Sequence, residues 1–292
     1  MTDATFEPPR GEEIRMCLPG TIETVRERVE QEGVPRLDRR TVLAGAFGAA
    51  VAAAVPGTAL ARTIPARRTR DLTHTFTAGF PVFAFDPPSR RTLVTVEANG
   101  FYAQEWTFGE HSGTHMDAPG HFVVGGRLSP EITVPELIAP IVVIDVSARA
   151  VRNADTEVTV ADLRRFEHRH GRIPRGALVA MNSGWDAKIG DPVAYKGGNA
   201  FPNYHFPGWS KDATDWLLAH RDPAAIGVDT LSLDPGNSTT FAVHVSWLGH
   251  DKYGLENLRN LGTIPARGAT AFVGLIPWEE GSGGPARVVA VW

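Results

Sequence analysis

Disulfide chemistry is closed to this chain. It has 1 cysteine, Cys17, among 292 residues, so no internal disulfide can form and stability must come from a core or a bound ligand. A large charge of one sign is lacking too: 29 Lys and Arg face 33 Asp and Glu, a formal −4. That balance gives no reason to expect nucleic acid or an acidic membrane surface as a partner. Long hydrophobic runs are also missing. The Ala/Gly/Val run that ends near Val55 is short of the roughly 18 residues a membrane span needs. With 42% hydrophobic and 21% charged residues, the composition is that of a soluble globular protein.

The first sixty or so residues do not read as part of a fold. A polar stretch to Asp38 precedes Arg39-Arg40-Thr41-Val42-Leu43; small apolar residues follow, then Pro56, Gly57 and Ala59-Leu60-Ala61. Twin arginine, weakly hydrophobic core and A-x-A exit form the order of a twin-arginine (Tat) export signal. Residues 1–61 are therefore expected to be a leader recognised by the Tat machinery, and residues 62–292 a single exported domain, periplasmic or extracellular, with no membrane contact. Cys17 falls in the leader. A route that carries folded proteins would let the domain load metal in the cytoplasm first.

From Asp71 onward the pattern is α/β. Apolar, β-branched runs at 92–96, 141–146, 177–181, 225–228, 270–275 and 287–291 read as strands. Thr159 can cap a helix carrying Val160, Leu163 and Phe166 that ends at Gly171, and Ser210 a second one carrying Ala213, Trp216 and Leu217. Proline and glycine clusters around 186–208 and 280–285 mark long loops, which in compact domains are often functional.

The densest chemistry is His111-Ser-Gly-Thr-His115-Met-Asp117-Ala-Pro-Gly-His121. On a helix Asp117 would lie about 240° round from His111 and could not join it. On an extended strand the offsets are even, so His111, Gly113, His115 and Asp117 share one face, with Gly113 leaving open space between the imidazoles. Pro119 and Gly120 end the strand and can swing His121 back over that face. Two imidazoles and a carboxylate form a ligand set for a borderline divalent ion, zinc or manganese. The other histidines have plainer readings. His168 and His170 sit at a charged helix end, His220 suits a helix C-terminus, and His74 reads as structural. His205, between Tyr204 and Phe206, could line a pocket.

Downstream, His244 is followed twelve residues later by Glu256-Asn257-Leu258. Here the chain resembles the cyclase family of metal-dependent hydrolases, which includes bacterial kynurenine formamidases and isatin hydrolases. Every fixed position of the family's H-x-G-T-H-x-D-x-P-x-H is filled from His111 to His121. Asp71-Leu72-Thr73-His74 and Gly227 to Asp234 match two further stretches. The resemblance implies a swivelling β/β/α fold of mixed sheet with flanking helices, pairing into homodimers or larger. It implies that His111, His115 and Asp117 hold one metal, that Asp117 and Glu256 bridge to a second held by His244, and that His121 is the general acid/base. One or two ions per subunit, Zn2+ or Mn2+, are expected. Glu105, Glu110 and Asp229 are candidates to support the ligands from behind.

Where kynurenine formamidases carry P-V-W-P-G-D, this chain has Pro81-Val82-Phe83-Ala84-Phe85-Asp86. Phe83 is the expected substrate-binding aromatic, and Trp185, Tyr195, Phe201 and Tyr204 either shape the pocket or pack their own loop. The expected activity is hydrolysis of a small aryl or cyclic amide, arylformamidase-like. Ring opening of a cyclic amide is the alternative within that class, and a secreted non-catalytic metal or small-molecule binder the alternative outside it.

Overall fold

Strands whose apolar runs are continuous rather than alternating need cover on both faces, and Ile141 to Val146 and Ala177 to Met181 are such runs. The computed structural model, which describes residues 68–292 together with Glu27, Glu30 and Gln31, gives them that cover. Its strands are β1 (Thr69–Asp71), β2 (Ser89–Val94), β3 (Ala103–Thr107), β4 (His115–Asp117), β5 (Ile138–Asp145), β6 (Glu157–Val158), β7 (Leu178–Asn182), β8 (Gly208–Trp209), β9 (Ala225–Val228), β10 (Tyr253–Glu256), β11 (Ala269–Leu275) and β12 (Gly283–Val291). The helices of two turns or more are α1 (Val160–His170), α2 (Lys211–His220) and α3 (Ala242–Gly249). Two units emerge from the packing: Met1–Thr63 with Arg90–Thr107, and Ile64–Ser89 with Phe108–Trp292. Besides Glu27, Glu30 and Gln31, the described part of the first, Arg90–Thr107, carries the paired β2 and β3 strands and the helical turn Val96–Asn99.

In the second unit the strand order is β1-β12-β11-β5-β7-β9-β10-β4, and β4 pairs back onto β12. The sheet therefore closes into a seven-stranded barrel, with β1 added alongside β12. β5, β7, β9 and β10 run parallel, and α1, α2 and α3 lie in the crossovers between them. The mixed α/β class is thus as expected.

Alternation sorts the two cores. Ile141, Val143, Leu178, Ala180, Leu255, Val273 and Val288 form one cluster inside the barrel. Their neighbours Val142, Ile144, Val179, Met181, Ile226 and Val228 face outward, against Leu163 and Phe166 of α1, Leu217 of α2 and Trp247 of α3. The caps at Thr159 and Ser210 form as the residue types predict. The strand expected at 92–96 stops at Val94, because the Thr95 side chain accepts from the Ala98 amide and starts a helical turn. Nothing in the periodicity announced α3: its sequence AVHVSWLG is apolar all round and shows no polar face. The leader reading falls on residues 1–61, outside the described residues apart from Glu27, Glu30 and Gln31. Among the described residues no helix is long and apolar enough to cross a membrane.

Candidate active site

β4 sets the geometry. Its middle residue, Met116, is fully buried in the barrel core, so His115 and Asp117 face the other way. β10 lies antiparallel beside it with Glu256 opposite His115, and Leu255 is the inward residue there. The three polar side chains therefore share the outer face of the barrel.

His111 reaches this face by a different path from the one its spacing suggested. The strand covers only residues 115–117, and Gly113 at φ +70° breaks the extended run before it. Gly113 does not leave space between imidazoles. A Cβ there would come within 2.5 Å of the Phe76 ring, and the left-handed φ itself favours glycine. His111 arrives through this bend and places Nδ1 2.7 Å from Asp117 Oδ1. Room for its ring comes from Gly283 on β12, where a Cβ would sit 2.6 Å from the imidazole. Pro119–His121 forms a single 3-10 turn, which brings the His121 ring into a stack over His111 with centroids 3.7 Å apart.

Two groups of potential ligand atoms result, each gathered within 4.8 Å: His111, His115 and Asp117, and Asp117, His244 and Glu256. Asp117 belongs to both. The hydrogen bonds show which imidazole nitrogen is left over. His115 Nδ1 is 2.9 Å from the Gly113 carbonyl and must donate to it. Its Nε2 then presents a lone pair 3.4 Å from Asp117 Oδ1 and 3.3 Å from Glu256 Oε2. Likewise His244 Nδ1 donates to Asp234 Oδ2 at 2.7 Å, leaving Nε2 3.1 Å from Glu256 Oε1 and 3.6 Å from Asp117 Oδ2. Asp117 Oδ2 is buried without a hydrogen-bond partner. Lone pairs that converge in a buried site repel unless a proton or a cation lies among them.

The charge states point the same way. Burial opposes protonation of His115, but bonds to Asp117 and Glu256 outweigh it and push its pKa up to about 10. His244 is raised well above the ordinary imidazole value against the same opposition, held by Asp117, Asp234 and Glu256. Asp117 is held well below the usual carboxylate range: burial works against this, but three histidines prevail. The centre thus calls for positive charge, and its nitrogen and carboxylate donors fit a divalent ion of the borderline class.

Support from behind is partly where it was expected. Asp234, which in the sequence only closes the Gly227 to Asp234 stretch, both caps α3 and orients His244. The residue before α3, Phe241, has φ 49° and supplies no side-chain cap; Asp234 instead accepts from the Val243 and His244 amides at 2.9 and 3.0 Å. Asp234→Asn is expected to weaken metal binding by roughly 10–100-fold, measured by chelator competition; an unchanged affinity would remove Asp234 from this role. Glu110 acts through an intermediary. It accepts from the Ser282 amide and hydroxyl, and the Ser282 oxygen lies 2.8 Å from His111 Nε2. Asp229 is elsewhere: it accepts from the Ser183 and Trp185 amides, and burial pushes its carboxyl up to about 7. Glu105 pairs with Arg91.

The remaining histidines mostly follow their plainer readings. His168 and His170 are exposed, and His220 Nδ1 donates to Trp216 O within its own helix. His74 is buried and its amide donates to Thr114 Oγ1. His205 pairs with Asp155 at the surface and does not line the pocket.

A cavity of about 310 Å³ opens over the ligand groups, lined on its other side by Phe83, Phe85, Phe122, Phe201, Leu231 and Phe241. Phe83 takes the expected position, with ring centroids 5.4 Å from Phe201 and 5.6 Å from Phe241. The loop divides between its two readings. Phe201 lines the cavity, whereas Trp185, Tyr195 and Tyr204 are buried with Phe206 and Leu231. Phe122 and Phe241 went unread because nothing local marks an isolated phenylalanine as a pocket wall.

The sequence profile of the Cyclase family matches residues 70–235. This chain belongs to the cyclase family. The match includes His111 to His121 and Asp234 but ends before His244 and Glu256, which the barrel brings against Asp117. An isatin hydrolase from Roseibium aggregatum is 34% identical over 200 residues, 65% of this chain and 75% of that protein. A kynurenine formamidase from Erythrobacter litoralis is 27% identical over 198 residues, 66% of this chain and 79% of that one. Among solved structures, isatin hydrolase A from Ralstonia solanacearum superposes with a TM-score of 0.73 at 31% identity, covering 88% of this chain and 98% of that one.

Proposed function

We propose that this cyclase-family chain is a metal-dependent hydrolase that cleaves the C–N bond of a small aryl or cyclic amide. The observation that carries the reading is Asp117: one buried carboxylate, shared by two ligand groups and with an unpartnered oxygen, at the floor of an aromatic cavity. The names of its relatives, a hydrolase of isatin and a formamidase, support the same class. His111, His115 and Asp117 would hold one ion, zinc or manganese, and Asp117, His244 and Glu256 a second. Such an ion supplies an acidified water and a polarised carbonyl.

His121 supplies the proton transfer. Burial, the largest influence on it, lowers its pKa to about 4, so near pH 7 it is neutral and able to accept a proton. It takes one from the attacking water as the water oxygen bonds to the carbonyl carbon. It then returns that proton to the nitrogen as the C–N bond breaks, giving a carboxylic acid and an amine. Stacking on His111 holds the ring in place for both transfers.

The direct test is to strip the protein with a chelator, reload it with Zn2+ or Mn2+, and assay N-formyl aryl amines and cyclic amides. Hydrolysis should disappear on stripping and return at least 100-fold on reloading. No turnover with either ion on any of these amides would overturn the proposal.

A further inference from the structure

The two walls of the cavity differ in kind. Its ionisable lining residues are His111, His115, Asp117, His121, His244 and Glu256, all on the metal-facing side. The opposite wall is apolar, and among the described residues the other polar side chains in the lining are Asn257 and Ser232, whose buried hydroxyl has no hydrogen-bond partner. Asn257 is committed: its Nδ2 donates to the Gly113 carbonyl and its Oδ1 accepts from the Tyr195 hydroxyl, both at 2.9 Å. Two cations sit beside the neighbouring aromatic cluster, Lys188 3.1 Å from the Trp185 ring centre and Lys196 5.7 Å from that of Tyr204, and neither lines the cavity. Phe241 keeps a left-handed backbone at φ 49°, a conformation that costs a bulky residue energy and persists where the surroundings impose it. Its ring lies at 26° to that of Phe201, with centroids 6.0 Å apart, and Phe83 meets both at steeper angles of 54° and 69°.

From this distribution we infer that the enzyme selects uncharged, flat aryl amides and rejects substrates bearing an ionised tail, such as an α-amino acid. The inference rests on the hydrolase reading above and specifies its substrate class. A neutral ring laid against the wall formed by Phe83, Phe201 and Phe241 gains contact area and aromatic contact. A carboxylate or ammonium carried into the same space would lose its water and find, on the apolar wall among the described residues, no partner of opposite charge; the unpaired Ser232 hydroxyl alone does not replace a hydration shell. Near the ligand groups the tail fares no better, because it competes with the reacting amide for that wall.

The test compares kcat/KM of the metal-reloaded enzyme for two neutral amides, formanilide and isatin, with that for N-formylkynurenine, which carries the zwitterionic tail. A preference of at least 100-fold for the neutral amides is expected. Ala84→Arg, at an exposed position on the rim, should narrow that ratio at least 10-fold by giving the tail carboxylate a partner. Comparable kcat/KM values for neutral and zwitterionic amides would overturn the inference and leave the hydrolase reading standing, since the tail must then escape to solvent. Failure to hydrolyse any of the three would overturn the hydrolase reading instead. Calorimetric binding of aniline-type arenes with and without the amino-acid tail then reads selectivity by itself, and equal affinities would overturn it.

Discussion

Asp117→Asn should cost this protein its metal and, with it, its turnover. Asp117 is the one residue common to both ligand groups, is 1% exposed, and faces His111, His115 and His244 at 2.7, 3.4 and 3.6 Å. A neutral amide of the same shape removes the charge that offsets the dication. A bound ion is worth several kcal/mol of transition-state stabilisation, and each 1.36 kcal/mol is tenfold in rate, so a fall in kcat/KM on the order of 10³-fold or more is expected. Elemental analysis should find the metal depleted. Wild-type metal content in Asp117→Asn would show that neither group binds through this carboxylate.

The same substitution has a signature in pH. In metal-free protein His115 has a folded pKa of about 10, above its unfolded value of 6.5. Its contribution to stability is therefore fully present below pH 6.5 and lost as pH rises through about 10. Asp117→Asn removes the largest favourable influence on that pKa. Urea midpoints of chelated wild type should fall between pH 6 and pH 9, and those of chelated Asp117→Asn should fall less.

His121→Ala is expected to lower kcat by about 10²–10⁴-fold while metal content stays near wild type. His121 belongs to neither group of ligand atoms, yet its ring stacks on His111 and lies 6.2 Å from His244. It is close enough to exchange protons over the centre without binding there. Because burial lowers its pKa to about 4, the wild-type imidazole remains unprotonated into mildly acidic solution. Parallel loss of metal in His121→Ala would make this residue a ligand and leave the proton transfer to another group.

How much of the site could be read beforehand varied with distance along the chain. His115 and Asp117 share a face because two residues of extended backbone allow nothing else. His121 returns over them because Pro119 and Gly120 turn the chain. His111 joins the same ligands, but not along an extended strand: Gly113 bends the chain under the Phe76 ring. His244 and Glu256 are invisible to periodicity. One sits on an apolar helix and the other at the end of a four-residue strand, and family resemblance alone named them.

The sequence by itself determined what local geometry controls: the α/β pattern, the caps at Thr159 and Ser210, the strands covered on both faces, and a metal-type ligand segment at residues 111–121. Backbone dihedrals constrain residues only a few positions apart, so the information ended there. Tertiary structure decided the rest. Barrel closure through β12–β4 sets Gly283 beside His111, and the β10–β4 register sets Glu256 opposite His115. Asp234 reaches across a loop to cap α3 and aim His244. The apolar wall is assembled from Phe83, Phe122, Phe201 and Phe241, four separate segments. Which of those distant residues meet depends on hydrogen-bond register between strands and on packing across the barrel's outer face, and neither is encoded in any short stretch of chain.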